Sequence, residues 1–378
     1  MKRFIIIVMK EATVFCAILL SISQSALGQG FDLRSLSKEA LSRGADGAAV
    51  YFLYADYLRN SGDFPDLEIT AYYLTEKGEF SKADSLLKRI ESEKVIEQLN
   101  DSLRRYYYLA RANVCFENND YINCLRSLDE VTDEYVPPRL MAECYQELGL
   151  YEKAIAKYAS MFDDYNEGYV NCLIAECYRA EGLFEKAIEH YLQAMNNRPA
   201  WAMPYYGAGW SYELSGDDSL ALEYYNKGLS VDQSYAYLFL MRGELLLKLG
   251  REEQAKDDFN TVLRLDRTIS DGSCRQYALM LLGREDDALI WMNRIIEHQP
   301  DNPGHYYDKA CLCCRMGLLI EAVDALKIAF SKGYRRFAHI IADDDVDPIK
   351  EIPEFKELFS YYYSHHLKEL ETINDILQ

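Results

Sequence analysis

Glycine recurs along this chain at a nearly constant interval. Gly149, Gly182, Gly216, Gly250, Gly283 and Gly317 are separated by 33, 34, 34, 33 and 34 residues. An interval of that size marks a supersecondary unit repeated in series, each copy burying its apolar face against its neighbours. Other positions keep step with the glycines. Five residues after each comes Ala154, Ala187, Ala221, Ala255, Ala288 or Ala322. Four further on comes Tyr158, Tyr191, Tyr225, Phe259, Met292 or Leu326. Four residues before each glycine stands Tyr145, Tyr178, Tyr212, Leu246, Leu279 or Cys313. The pattern predicts two helices joined by a tight turn. Glycine accepts the positive φ that ends the first helix. The alanine allows a close approach between helices, and the large residue one turn later fills the adjoining gap. Pro199 and Pro300 stop two of the second helices.

Two weaker copies precede these six. Asn119, Tyr121, Cys124, Leu128 and Val131 hold the same offsets, as do Gly78, Phe80, Ala83, Leu87 and Ile90. The larger step from position 78 to 119 predicts an insertion that lengthens a helix over 95–118.

These residues resemble the tetratricopeptide repeat (TPR) family. The segment GLFEKAIEHYLQAMNNRP at 182–199 follows the second half of that repeat almost position for position. The resemblance covers about eight units over residues 64–336. It implies an all-α fold: an α-solenoid, coiled as a right-handed superhelix of helix-turn-helix units, with capping helices at both ends. Residues 29–63 are assigned to the N-terminal cap, and helices near 48–60 and 66–76 read as a degenerate start to the array. Residues 337–378 are assigned to the C-terminal cap. Within that cap, IADDDVDPIKEIPEFKELF at 341–359 resembles the tail that closes many bacterial TPR arrays. A final helix is expected to present Leu367, Leu370, Ile373 and Leu377 on one face.

Residues 1–28 read as a secretory signal peptide. Lys2, Arg3 and Lys10 precede or flank an apolar run from Ala12 to Ile22, and Ala26 and Gly28 are small enough for cleavage before Gln29. A start at Met9 gives an equally complete signal. The run is short for a membrane-spanning helix, so an uncleaved anchor is the second reading. The expected location is the periplasm, or secreted and outer-membrane associated.

The formal charge is −20. Segment 1–28 carries three cations and one anion, so its removal leaves −22. A chain this acidic repels phosphate backbones, and nucleic acid is not an expected partner.

No nucleophile elbow, zinc-protease, phosphate-loop or dinucleotide motif occurs, and the six histidines have no motif-spaced partner. The chain reads as a non-enzyme with no cofactor. Asp343, Asp345, Asp347 and Glu354 match four positions of a calcium loop, but Pro348 stands where that loop needs glycine. They read better as helix caps. His365 and His366 fall on different sides of a helix. Nine cysteines remain beyond the signal and read as small buried apolar residues, with Cys115 and Cys124 as the pair to test for a disulfide in an oxidising compartment.

The resemblance further implies that the first helix of each unit lines a concave groove through particular positions. Here they carry Tyr72, Tyr106, Glu143, Tyr169, Glu176, Tyr206, Trp210, Tyr237, Glu244, Tyr277 and Tyr307. Family members that grip chaperone tails use lysine and asparagine there. This chain lacks that basic set. An aromatic and acidic groove is expected to bind another protein or peptide, basic or neutral, with apolar anchors, centred on Tyr206, Trp210 and Tyr237. Glycan binding on the aromatic rings and regulation of an enzyme are the alternative functions.

Overall fold

The protein is known as a computed structural model, which describes residues 67–76, 78, 80–92, 96, 101–162, 166–269 and 273–373. The expected signal peptide, the cap over 29–63 and the helix near 48–60 lie outside these residues. The described residues form helices and turns alone, as expected of an all-α solenoid. The chain divides into two compact units, Met1–Val136 and Pro137–Gln378.

Among the described residues, the first unit contains two hairpins: α1 (Leu67–Glu76) with α2 (Phe80–Ser92), and α3 (Asp101–Glu117) with α4 (Tyr121–Asp129). Gly78 turns the first at φ 74°. Asn119 turns the second at φ 59°, the one described non-glycine residue with positive φ. Asparagine tolerates this region better than other side chains. Asp120 then caps α4 by accepting from the Asn123 N–H. Ala83, Leu87, Ile90, Tyr107 and Ala110 form the core. Part of the insertion lies in α3 itself, whose 17 residues exceed any other described first helix of a hairpin.

The second unit stacks six hairpins. They are α5 (Pro138–Glu147) with α6 (Tyr151–Ala159), α7 (Glu167–Ala180) with α8 (Phe184–Asn197), and α9 (Met203–Leu214) with α10 (Asp218–Val231). Then follow α11 (Ala236–Lys248) with α12 (Glu252–Leu265), α13 (Arg275–Leu281) with α14 (Glu285–His298), and α15 (Pro303–Arg315) with α16 (Leu319–Ser331). Their turn glycines have φ between 72° and 89°. At Gly182 the turn closes with Gly182 N–H donating to Arg179 O and Leu183 N–H donating to Tyr178 O, at 3.0 and 2.8 Å. These bonds satisfy carbonyls that the helix end leaves open.

Packing explains the other periodic residues. The six alanines five residues past the glycines are wholly buried, and so are the large residues four positions later. In the middle hairpins those large residues are rings, and a glycine makes room for each. A Cβ on Gly209 would sit 2.5 Å from the Tyr225 ring, and one on Gly243 would sit 2.5 Å from Phe259. The Tyr191 ring fills the space at Gly207 in the same way. An ion pair also ties one hairpin together: Arg242 donates from Nε and Nη2 to both carboxylate oxygens of buried Asp258, at 2.7 and 2.6 Å.

α13 is shorter than the periodicity predicts. The residues before it are held by Asp266, whose Oδ2 accepts from the Ser273 hydroxyl and from the Cys274 and Arg275 N–H groups. Ser273 is buried and also accepts from Trp291 Nε1.

After α16 come α17 (Phe337–Ala342), a short turn at Asp344–Val346, α18 (Asp347–Lys350) and α19 (Pro353–Glu371). Phe337, Ile340, Val346, Ile349 and Phe355 join the core of the last hairpin. The packed face of α19 differs from expectation. It is an aromatic stripe of Phe355, Phe359, Tyr362, Tyr363 and His366 against Phe330 and Phe337. Leu367 is exposed, Ile373 is buried, and Leu377 lies outside the described residues. The rings sit at i, i+4, i+7 spacing one stripe over from Leu367, and they bury more area than the leucines would.

The acidic turn before α18 is structural. Asp343 accepts from Asp345 N–H, and Asp347 pairs with Lys350 at 2.6 Å. Cys115 and Cys124 are not joined by a disulfide; Cys124 is buried and Cys115 half-buried. No helix among the described residues is long and apolar enough to cross a membrane.

Candidate functional site

In the first unit, Tyr72 on α1 and Tyr106 on α3 meet with ring centroids 5.4 Å apart. The Arg105 guanidinium lies 5.3 Å from the Tyr106 ring and 3.9 Å from that of Tyr135.

In the second unit the remaining positions fall into three clusters. The first is Arg139, Glu143, Tyr169 and Trp201. Arg139 pairs with Glu143 at 2.6 Å and approaches the Tyr169 ring, which lies 6.3 Å from Trp201.

The second cluster is central. Tyr206 lies 5.8 Å from Trp210, one turn on in α9, and 5.9 and 6.3 Å from Tyr235 and Tyr237 at the start of α11. All four rings are partly exposed. Burial pushes up the pKa of Tyr206, Tyr235 and Tyr237. Arg179 covers one face of Trp210, its Cζ 3.8 Å from the ring centroid. Arg179 in turn donates to Glu176 at 2.5 Å, and the hydroxyl of buried Tyr191 donates to the other Glu176 oxygen.

The third cluster joins the last hairpins to the C-terminal segment. Arg315 donates to Glu244 at 3.1 Å, approaches the Tyr277 ring at 5.5 Å and lies 3.9 Å from Asp345. Tyr307 is not on open surface. Its ring stacks on Tyr334 at 4.6 Å, and its hydroxyl donates to Asp343 at 2.6 Å. The neighbouring Cys311 thiol lies 3.6 Å from the same carboxylate. His339 packs against Tyr307 at 5.3 Å. Burial, then the charges of Arg336 and Arg179, hold the His339 pKa down, with Asp343 opposing.

The C-terminal segment also reaches the first hairpin of this unit. Arg336 pairs with Glu147, and Ala338 abuts Gly149. Helices pack roughly 8–10 Å apart, so six hairpins in a straight row would separate α5 from α15 by on the order of 50 Å. The stretch from Arg336 to Asp343, largely helical, spans only on the order of 12–15 Å. It touches both ends of the row, so the row must curve around it.

Two features were not read from the sequence. The three groove acids do not present free charge, since Glu143, Glu176 and Glu244 each meet an arginine. The pairs on one helix had a readable i, i+3 or i, i+4 signal. Arg315 with Glu244 had none. The second is the tail, whose Asp343 and Asp345 occupy the face at Tyr307 and Arg315.

The family model described as tetratricopeptide repeat matches residues 169–200, 204–235 and 236–269. Among solved structures, the chain is similar to TTC0263, a thermophilic TPR protein in Thermus thermophilus. The identity is 20% over 50% of this chain and 97% of that one, with a TM-score of 0.38. It is similar to the MamA 41-end structure from Desulfovibrio magneticus RS-1 at 19% identity, over 42% of this chain and 93% of that one, with a TM-score of 0.36. YrrB, described as a TPR protein with an unusual peptide-binding site, is 19% identical over 49% of this chain and 95% of that one, with a TM-score of 0.28. Scores this low carry no argument, so the assignment rests on the matched repeats and the hairpin geometry. Residues 169–200, 204–235 and 236–269 therefore match tetratricopeptide repeats, and helical hairpins with the same positive-φ glycine turn stand on either side of them.

Proposed function

We propose that this chain is a non-catalytic scaffold that takes up a segment of another protein on the inner face of its second unit. The observation that carries the reading is the four-ring cluster of Tyr206, Trp210, Tyr235 and Tyr237, packed together yet partly exposed. Large, stiff rings with few rotatable bonds give contact area at low entropic cost and dominate binding surfaces. The arginine partners of Glu143, Glu176 and Glu244 cancel most of the local negative charge. That favours a neutral segment with apolar or aromatic anchors over a basic one. The signal-like residues 1–28 support action outside the cytoplasm, in the periplasm or at an outer-membrane complex.

The test is selection of a displayed peptide library on the chain beginning at Gln29, with a glycan array run beside it. Trp210→Ala and Tyr206→Ala should each weaken a selected peptide by at least tenfold, the ordinary cost of losing a hot-spot ring. Peptides that bind both variants as well as the unchanged chain, or capture of glycans alone, would overturn the reading. Recovery of an N-terminus at Gln29 from the exported protein would support the location, and a protein retained with residues 1–28 intact would contradict it.

A further inference from the structure

We infer that the contact of Arg336 and Ala338 with Glu147 and Gly149 is a clasp, which closes the inner face of the second unit and releases to admit a bound segment. The clasp deepens the binding role proposed above and concerns access to the same face.

The two ends of the C-terminal segment are held very differently. Toward the last hairpin, Phe337, Ile340, Val346 and Ile349 are buried in one apolar cluster with Phe330 and Tyr334. Removing several such side chains from a core is costly, so this attachment is permanent. Toward the first hairpin, the tail sets an ion pair and a methyl group against a turn. The Arg336 side chain is 41% exposed and the Glu147 side chain 19%. Separating the pair returns both charges to water, whereas extracting the apolar cluster exposes several large side chains. Any opening therefore occurs between Arg336 and Glu147, and the tail travels with the last hairpin.

Gly149 supplies the independent observation. At the turn glycines 78, 182, 216, 250, 283 and 317 a Cβ would meet nothing within 4 Å. At Gly149 it would lie 2.6 Å from the Ala338 Cβ. This turn is thus shaped to receive the tail, beyond the positive φ that all of them share. Release of the clasp would widen access to the aromatic cluster, in which Arg179 covers one face of Trp210.

Opening is read without any partner. Trp201→Phe and Trp291→Phe leave Trp210 as the one fluorophore of its kind, and acrylamide quenching then reports its access to solvent. In this background Arg336→Glu, which faces Glu147 with like charge, should raise the quenching constant at least threefold and increase the radius of gyration in solution scattering. Adding Glu147→Arg reverses the pair and should restore both values. Ala338→Leu wedges the same contact without changing charge and should reproduce Arg336→Glu. If a charge variant loses its helical circular dichroism, Ala338→Leu and a salt series on the background chain decide, with quenching expected to rise between 0.05 and 1 M NaCl. Unchanged quenching and size in Arg336→Glu and Ala338→Leu, or no restoration by the reversed pair, would overturn the clasp. None of these readings involves a ligand. A failed clasp with peptides still bound at Trp210 removes this inference alone, and a working clasp with no peptide bound removes the binding proposal alone.

Discussion

Three core tyrosines show how single residues solve the same problem in different ways. Tyr158, Tyr191 and Tyr225 occupy one repeat position, and each carries a hydroxyl into the interior. The acceptors are Gln146, Glu176 and Glu213. A buried acceptor left without its donor costs about 1–3 kcal/mol, more when it is charged. Tyr225→Phe is therefore expected to lower stability by about 2 kcal/mol in urea titration, and Tyr158→Phe by less, because Gln146 is neutral. His366 gives a pH dependence. Burial first, then Arg335, lowers its pKa to about 4 from 6.5. A histidine held neutral in the fold stabilises fully above pH 6.5 and loses that contribution as pH falls toward 4. Asp345, raised to about 6 chiefly by burial, acts in the opposite sense and favours the fold as pH falls. The net slope between pH 4 and 6.5 should thus become shallower, or change sign, in His366→Phe, as thermal melts across that range will show. The chemistry of such residues was only half legible. A tyrosine at a core offset is evident from spacing, but the partner of its hydroxyl is not. Arg179 stands three residues before Gly182 where the neighbouring repeats have Gln146 and Glu213, so Tyr191 turns to Glu176 instead.

The helical hairpin is the element that the sequence specifies most completely. Its turn needs positive φ, its alanine needs contact, and its ring needs a gap, and each requirement leaves a mark at fixed spacing. Asn119 tests the first requirement. Replacing a turn glycine, as in Gly182→Ala, should cost about 1–2 kcal/mol through strain in the left-handed region. Asn119→Gly relieves a smaller strain, and its midpoint in chemical denaturation should stay level or rise. Equal losses from both substitutions would contradict a turn governed by φ. Elements without a repeat constraint were less legible. α13 is short because Asp266 gathers three donors ahead of it, a local arrangement that periodicity does not encode. In α19 an aromatic stripe and a leucine stripe lie side by side, and burial went to the rings because Phe330 and Phe337 face them.

At the scale of the molecule, the six hairpins of the second unit curve until the C-terminal segment touches the first of them. Curvature follows from small rotations summed over repeats, so the array was legible and its closure was not. Closure depends on Arg336 meeting Glu147, residues far apart in the chain and outside any periodic position. The same closure explains why Tyr307, placed on the groove by its offset, is buried under Asp343 and Tyr334, while Tyr206, Trp210 and Tyr237 keep partly open surface. The inner face then has an aromatic centre and a polar far end. Calorimetric titration of a library-selected peptide into the chain from Gln29, and into its Tyr206→Ala/Trp210→Ala form, examines that centre most directly. The double variant should retain the melting temperature within a few degrees and lose at least a hundredfold in affinity. Equal affinity in the two proteins would mean that the aromatic centre is packing alone and that recognition, if any, lies elsewhere.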